Sequence, residues 1–326
     1  MFEWAVLGSG YIARQFIKDL QLAPDQRVSQ IYSNSRENAQ EIVKDLGLTD
    51  CDVLSYENFG NSSDFNAVYI GNNTNRHIEF LQRAARSFFP VLCEKPIVSY
   101  SENLEAVLAE FEARKVLVME GIWTLYLPQF SKLKDITRSN NLGNILKINT
   151  VLSKDFDFDK QLRVFDKSRQ GGIINELAIY PIAICYELLG MPDSIDSEIE
   201  LFGDIDVALK TEFRYFSDVI VKIDISLTNK CQSFFEIIFE KGSVCLLGEY
   251  FKPCQLQIRN NMQEIYMDFS EGYNARGLIE EALEFEQLLH RNDLKEFRKL
   301  SNQTRNVHLL LSQIAEIGFK KKGLRV

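Results

Sequence analysis

Glu3-Trp4-Ala5-Val6-Leu7-Gly8-Ser9-Gly10-Tyr11-Ile12-Ala13 is the stretch whose reading decides the fold. Its first five residues form a short apolar strand, and from Tyr11 to about residue 22 the apolar positions recur at helical spacing. Gly8, Gly10 and Ala13 stand between them in the pattern G-x-G-x-x-A. The first glycine permits a tight turn, and the second lets backbone approach a pyrophosphate. The third small residue lets the helix pack closely on the strand, and the helix N-terminus then offers N–H donors to the anion. Alone, this pattern says little. Directly after a strand and opening a helix, it reads as a dinucleotide site with Gly8, Ser9, Gly10, Tyr11 and Ile12 as contacts. The competing reading is a tight turn that holds no ligand.

Working outward, the pattern continues to alternate. Strands are expected at 27–32, 67–70, 90–94 and 116–120, and helices at 37–46, 77–87 and 103–114. Such alternation implies a doubly wound parallel sheet covered by helices on both faces, the Rossmann arrangement. After about residue 145 the period changes. Val221, Ile223, Ile225 and Leu227 fall on one face of a strand, with Lys222, Asp224 and Ser226 on the other. Segments 234–239 and 243–247 read as a hairpin around Lys241-Gly242. Period two with one apolar face marks a half-buried sheet, so an α+β second domain is expected, with a large open, mainly antiparallel sheet. The division is placed at 1–121 and 122–326, and helices over 274–289 and 304–319 close the chain.

The end of the second strand bears on cofactor choice. An NAD-specific site usually carries an acid there to accept from the ribose hydroxyls. This chain has Tyr32-Ser33-Asn34-Ser35-Arg36 and no acid before Glu37. A hydroxyl at Ser33, the amide of Asn34 and the guanidinium of Arg36 suit a 2′-phosphate, which favours NADP, with NAD possible. The alternative is a solvated Arg36 and a site that accepts both.

Two further stretches carry candidate chemistry. Glu94-Lys95-Pro96 closes the 90–94 strand at the carboxyl edge of the sheet, where ligands bind in such folds, and Lys95 could donate to a substrate or ribose oxygen. A lone lysine at a strand end is otherwise a surface charge. Gly171-Gly172-Ile173-Ile174-Asn175-Glu176-Leu177-Ala178-Ile179-Tyr180-Pro181 places Glu176 and Tyr180 in an apolar segment, four residues apart. A helix already running at 176 puts both on one face, although Pro181 requires either a kink or a first turn there. The competing reading is an exposed Glu176 at a helix end with Tyr180 as core filler.

Composition excludes several classes. The 326 residues suffice for two domains, and a net charge of −9 argues against a nucleic-acid binder. The basic cluster Lys320-Lys321-Lys322 reads as a solvated terminus. Cysteines at 51, 93, 185, 231, 245 and 254 form no CxxC pair, and with His77, His290 and His308 they show no metal-ligand spacing. No apolar run approaches the ~18–20 residues a membrane span needs, and MFEWAVLGSG reads as a strand rather than a signal peptide, so a cytoplasmic location is expected.

Together the motifs carry a resemblance. The chain resembles the glucose–fructose oxidoreductase, inositol dehydrogenase and rhizopine-catabolism (Gfo/Idh/MocA) family over essentially its full length. The matching features are the glycine turn, Tyr69-Ile70-Gly71 with His77 following, and Glu94-Lys95-Pro96. Met119-Glu120-Gly121-Ile122-Trp123 and the Gly171 to Pro181 stretch complete the set. Arg163-Val164-Phe165-Asp166 and Ile122-Trp123-Thr124 are similar to the dimeric dihydrodiol dehydrogenase branch.

The resemblance implies a two-domain NAD(P)-dependent oxidoreductase that moves hydride between the nicotinamide and a carbinol or carbonyl carbon of a sugar, polyol or cyclic diol. It implies catalytic roles for Lys95, for Glu176 where the family has Asp, and for Tyr180 where it has His or Tyr. It also assigns cofactor contacts to Asn72, Asn73, His77, Glu94 and Lys95. This sequence departs from the pattern at Glu176, at Ala178 for a usual Gly, at Asn72-Asn73 for a usual Thr-Pro, and at Leu125 where an Arg often sits. Tyrosine ionises near pH ~10 when unperturbed, so Tyr180 needs a neighbouring cation such as Lys95 to work near neutrality. Tyr180 is expected to exchange the proton, with Lys95 assisting and Glu176 orienting the substrate; the first two roles could be exchanged. The alternative from another class is a dehydrogenase-like regulatory protein that binds cofactor or sugar without turnover. The partners expected are a small-molecule substrate and a second copy of the chain, as a homodimer or higher homo-oligomer through the open sheet.

Overall fold

The computed structural model describes residues 1–61, 64–99, 104–156, 162–273 and 275–324. The chain forms two compact units, Met1–Ile122 with Ala275–Arg305, and Trp123–Asn274 with Asn306–Val326. The sequence placed a single boundary at 121/122; the contacts return 275–305 to the first unit.

In the first unit, strands β1 (Phe2–Leu7), β2 (Gln26–Tyr32), β3 (Asp52–Leu54), β4 (Ala67–Ile70), β5 (Val91–Glu94) and β6 (Val118–Gly121) alternate with α1 (Tyr11–Leu20), α2 (Arg36–Asp45), α3 (His77–Arg86) and α4 (Leu104–Arg114). The expected start of α4 at Asn103 lies outside the described residues. The sheet order is β3-β2-β1-β4-β5-β6, and every neighbouring pair is parallel. Helices cover both faces, and the inner strands β4 and β5 are buried at every position. The order reverses between β1 and β4. That is the switch point where ligands bind in open α/β sheets.

The second unit holds α5 (Pro128–Ser139), β7 (Ile145–Ser153), α6 (Ile179–Leu189), β8 (Ser194–Phe202), β9 (Ile205–Arg214), β10 (Ile220–Ser226), β11 (Phe234–Phe239), β12 (Gly242–Leu247), β13 (Gln255–Asn260) and β14 (Glu264–Asp268). Its sheet runs β14-β13-β12-β11-β7-β10-β9-β8. Pairing is antiparallel except for β7 with β10, which is parallel. On β10 the predicted alternation holds as far as Ile225: Val221, Ile223 and Ile225 are buried, Lys222 is exposed and Asp224 half-buried, but Ser226, expected on the outer face, is buried. The β11–β12 hairpin turns at Glu240-Lys241, with Phe239 opposite Gly242.

Two long helices end the chain, α7 (Leu278–Arg291) and α8 (Leu294–Lys321). The expected start of α7 at Asn274 lies outside the described residues. One sequence expectation is corrected. The stretch Lys167–Leu189 is long and apolar enough, by length and composition, to cross a membrane, yet 72% of its most apolar window is buried inside the protein. Its apolar middle, residues 171–185, packs inside the protein apart from half-buried Glu176.

Candidate functional site

The glycine turn sits at the switch point. Gly8 donates its N–H to Tyr32 O at 2.9 Å, and Gly71 donates to Leu7 O at 2.9 Å, so the ends of β1, β2 and β4 are tied together. Gly8 has φ +128°, and a Cβ there would meet Gly71 O at 2.8 Å. Only glycine fits. At Gly10 a Cβ would have no heavy atom within 4 Å, which leaves the approach open on the side where α1 begins. Gly10 caps α1 with no side-chain bond, and the first turn has no acid. The first N–H groups of α1 are therefore offered outward, as a pyrophosphate requires. Ala13 is fully buried beneath the turn. These residues fit a dinucleotide.

The strand end of β2 builds a hydroxyl cluster beside the turn. Ser9 Oγ and Ser33 Oγ lie 2.6 Å apart, and Ser33 Oγ accepts from Ser35 N at 3.0 Å. Ser35 caps α2 by accepting from Asn38 N at 3.2 Å. Asn34 and Arg36 are exposed, with Arg36 the first residue of α2. Among the described residues no acid pairs with it.

The ends of β4 and β5 converge differently from the sequence expectation. Asn73 is exposed and caps the turn that follows β4, while the Asn72 side chain lies beside the Tyr56 hydroxyl. His77 is completely buried, its Nδ1 3.1 Å from Pro96 O and its Nε2 3.1 Å from Asn72 O. Burial holds its pKa below the usual value. The imidazole braces the loop after β4 against the Lys95-Pro96 turn, whose peptide bond is cis, and it has no surface to offer a ligand. Glu94 also turns inward. Tyr69 Oη donates to its Oε1 at 2.6 Å, and its Oε2 accepts from Lys95 N at 3.2 Å. Burial raises the Glu94 pKa to about 7, against the opposing pull of the Tyr69 hydroxyl and Lys95. Lys95 itself is half-buried at the sheet edge.

Glu281 is a residue that sequence reasoning missed. Glu94 pairs across the sheet with Gly121, and a Cβ on Gly121 would lie 3.4 Å from both Glu281 carboxyl oxygens. The absent side chain thus makes room for a second, wholly buried carboxyl beside Glu94. Among the described residues neither Glu281 oxygen has a hydrogen-bond partner, and burial and the Glu94 charge push its pKa well up. A signal existed. Leu278, Ala282, Phe285 and Leu288 mark a buried stripe on α7, and position 281 falls within it.

In the second unit, Gly172 has φ +105°, and a Cβ there would collide with the Asp206 carboxyl. Asp206 Oδ2 accepts from Ile174 N at 2.9 Å, fixing the start of a π-helical turn, Ile174–Ala178, that runs into α6. Burial raises the Asp206 pKa to about 7, helped by the charge of Glu176. Pro181 falls in the first turn of α6, where its missing N–H is least costly, and the π turn keeps the helical path continuous. Glu176 lies in that turn with its side chain 12% exposed. Arg163 grips it in fork geometry, Nη1 to Oε1 at 2.6 Å and Nη2 to Oε2 at 2.8 Å. Tyr180, on α6, is 3% exposed. Its ring stacks on Trp123 (6.1 Å, 23°) and on Phe251 (4.8 Å, 16°). Trp123 Nε1 donates to Phe251 O, and Thr124 Oγ1 donates to the same oxygen at 3.1 Å. Among the described residues no group of three or more His, Cys, Asp or Glu side chains could hold a metal ion.

Comparison with known proteins adds to this geometry. A model of an oxidoreductase family with an NAD-binding Rossmann fold, GFO_IDH_MocA, matches residues 2–122, and a GFO/IDH/MocA C-terminal domain model matches residues 130–245. The uncharacterized oxidoreductase YgjR of Escherichia coli K12 is 24% identical over 276 residues, covering 81% of this chain and 82% of that protein. The trans-1,2-dihydrobenzene-1,2-diol dehydrogenase of Sus scrofa is 22% identical over 308 residues, 90% of each chain. A 3-ketoreductase from Actinomadura kijaniata, solved with NADP and TDP-benzene, superposes with a TM-score of 0.82 at 18% identity, covering 99% of this chain and 98% of that one. A putative myo-inositol dehydrogenase from Sinorhizobium meliloti gives 0.81 at 19% identity, with 98% of each covered.

Proposed function

Because the chain belongs to the Gfo/Idh/MocA family of NAD(P)-binding oxidoreductases, we propose that it interconverts a CH–OH group and a carbonyl on a sugar, polyol or cyclic diol. The observation that carries this reading lies within the first unit. The carboxyl ends of β1, β4 and β5 bring Gly8, Gly71 and Lys95 to one edge of the parallel sheet, on either side of its switch point. A bound nicotinamide cofactor supplies or accepts the hydride. The chain supplies the rest.

Residues 8–12 hold the dinucleotide phosphates, and Ser33, Asn34 and Arg36 receive the adenosine ribose end. Tyr180 gives its hydroxyl proton to the substrate oxygen during reduction and takes it back during oxidation. The Lys95 ammonium stabilises negative charge on that oxygen. Glu176 orients a neighbouring hydroxyl, its carboxylate aimed by Arg163. The Asn72, His77 and Glu94 side chains act from beneath, holding the loops that present Asn73 and Lys95. Absorbance in the reduced-nicotinamide band, followed with a panel of polyols, cyclic diols and ketoses, tests the reading. Tight cofactor binding without turnover of any of them would favour the regulatory alternative, which nothing among the relatives supports.

NADP is the proposed cofactor, because exposed Arg36 has no acidic partner and Ser33 offers a hydroxyl where an NAD site has a carboxylate. NADPH is expected to bind about 10- to 100-fold tighter than NADH, the equivalent of one or two charge-assisted hydrogen bonds. Arg36→Ala removes most of that ratio. Equal dissociation constants for NADPH and NADH in the unmodified protein would overturn the preference.

We also propose a homodimer in the cytoplasm. The open face of the second unit's sheet carries Lys210, Glu212, Lys222 and Asp224 in close opposite-sign pairs, and a copy related by two-fold symmetry meets such a mixed surface without net repulsion. Sedimentation at micromolar concentration is expected to give twice the chain mass; the single-chain mass alone would overturn it. The six free cysteines suit a reducing compartment.

A further inference from the structure

Helix α1 presents Tyr11, Gln15 and Asp19 at intervals of four, so the three side chains form one ridge. Where the chain re-enters the first unit, Arg276 lies along that ridge. Asp19 Oδ2 accepts from Arg276 N at 2.9 Å and from Leu278 N at 3.3 Å, which fixes the backbone at the C-terminal end of the ridge. Gln15 Oε1 accepts from Arg276 Nε at 3.1 Å. The guanidinium then lies over the Tyr11 ring, 5.1 Å from its centroid. The side chain therefore runs from Asp19 toward the first residue of α1, next to Gly10. Among the described residues, Nε is the only guanidinium nitrogen with a hydrogen-bond acceptor.

A cation near a helix N-terminus opposes the helix dipole, and the first turn of α1 holds no acid to offset it. Asp19 and Arg276 attract one another, but Asp19 Oδ2 is taken by two backbone N–H groups at the other end of the ridge rather than by the guanidinium. A cation anchored at three points, beside an open glycine and outward-facing N–H groups, suits an anion arriving from outside.

We propose that Arg276 is a further cofactor-binding residue, whose guanidinium pairs with a phosphate oxygen of the dinucleotide held at residues 8–13. The proposal rests on the assignment of that turn to the cofactor. It also gives the return of segment 275–305 to the first unit a role: the segment completes the cofactor site as well as packing against it.

The test is equilibrium binding of NADPH, followed by reduced-nicotinamide fluorescence at low and high salt. Arg276→Met is expected to raise Kd about 10-fold and to flatten its salt dependence, since one ion pair is lost. Arg276→Lys keeps the charge and is expected to stay closer to the unmodified protein. Gln15→Leu, which leaves Arg276 in place but frees Nε, is expected to weaken binding by about 2- to 3-fold and reports independently if Arg276→Met folds poorly. Inorganic pyrophosphate should compete with NADPH in the unmodified protein and compete less well in Arg276→Met. Unchanged Kd and salt dependence in a folded Arg276→Met would overturn the proposal, as would unchanged binding by Gln15→Leu if Arg276→Met does not fold. Failure of the unmodified protein to bind NADPH or NADH would instead overturn the cofactor assignment.

Discussion

Tyr180→Phe is expected to lower kcat by about two to four orders of magnitude while leaving the Kd for NADPH within about 2-fold. The substitution is unusually clean here. The ring of Tyr180 stacks on Trp123 and on Phe251, and phenylalanine retains both stacks, so the loss is confined to the hydroxyl. Lys95→Met is the comparator and is expected to lower kcat by about 10²- to 10³-fold through loss of oxyanion stabilisation. The pH profiles separate the two roles. With Tyr180 as the exchanging group, Tyr180→Phe removes the basic limb of the profile for carbonyl reduction, whereas Lys95→Met keeps a basic limb. Near-normal turnover by Tyr180→Phe would pass the proton to Lys95.

The second large effect is on stability. Glu94 and Glu281 form a buried carboxyl pair, with Tyr69, Lys95 and Glu120 also facing Glu94, and Glu280 and Asp19 facing Glu281. Both acids hold their protons more tightly folded than unfolded: burial penalises ionisation of each, with the Glu120 charge adding at Glu94 and the Glu94 charge at Glu281. Their contribution is therefore fully present below the unfolded value of 4.5 and is lost as pH rises through the folded value, about 7 for Glu94. Melting temperature is expected to fall between pH 5 and pH 8, with a loss on the order of a few kcal/mol from this pair. Glu281→Gln removes one charge and offers an amide donor to Glu94. It should match the unmodified protein near pH 5 and exceed it by about 1–3 kcal/mol at pH 8. Parallel melting curves across that range would sink the idea. Asp206, pushed to about 7 by burial in the second unit, adds a slope of the same sign that Glu281→Gln leaves untouched.

Some of this was legible without coordinates. The strand–turn–helix at residues 8–13 could be read because each position answers a local backbone demand: positive φ at Gly8, open space at Gly10, a buried small side chain at Ala13. The period change that separates the two sheets was equally local. The placing of His77 and Glu94 was not. Both belong to matching motifs, yet one is buried on backbone carbonyls and the other turned toward Tyr69, and nothing in the spacing indicates which way a side chain leaves a strand end.

The sequence by itself determined the α/β fold of the first unit, the glycine turn and its ligand class, because hydrophobic period and turn chemistry act between near neighbours. Only the tertiary structure decided what surrounds the candidate groups. Arg163 meets Glu176 across 13 residues, Asp206 meets Ile174 across 32, Glu281 comes to lie beside Glu94, and Arg276 meets Gln15 across 261. Charge and burial at a site are sums over whatever the folded chain brings there. A one-dimensional pattern specifies the strand that ends at Lys95; it does not specify the acids packed beneath it or the guanidinium laid along α1.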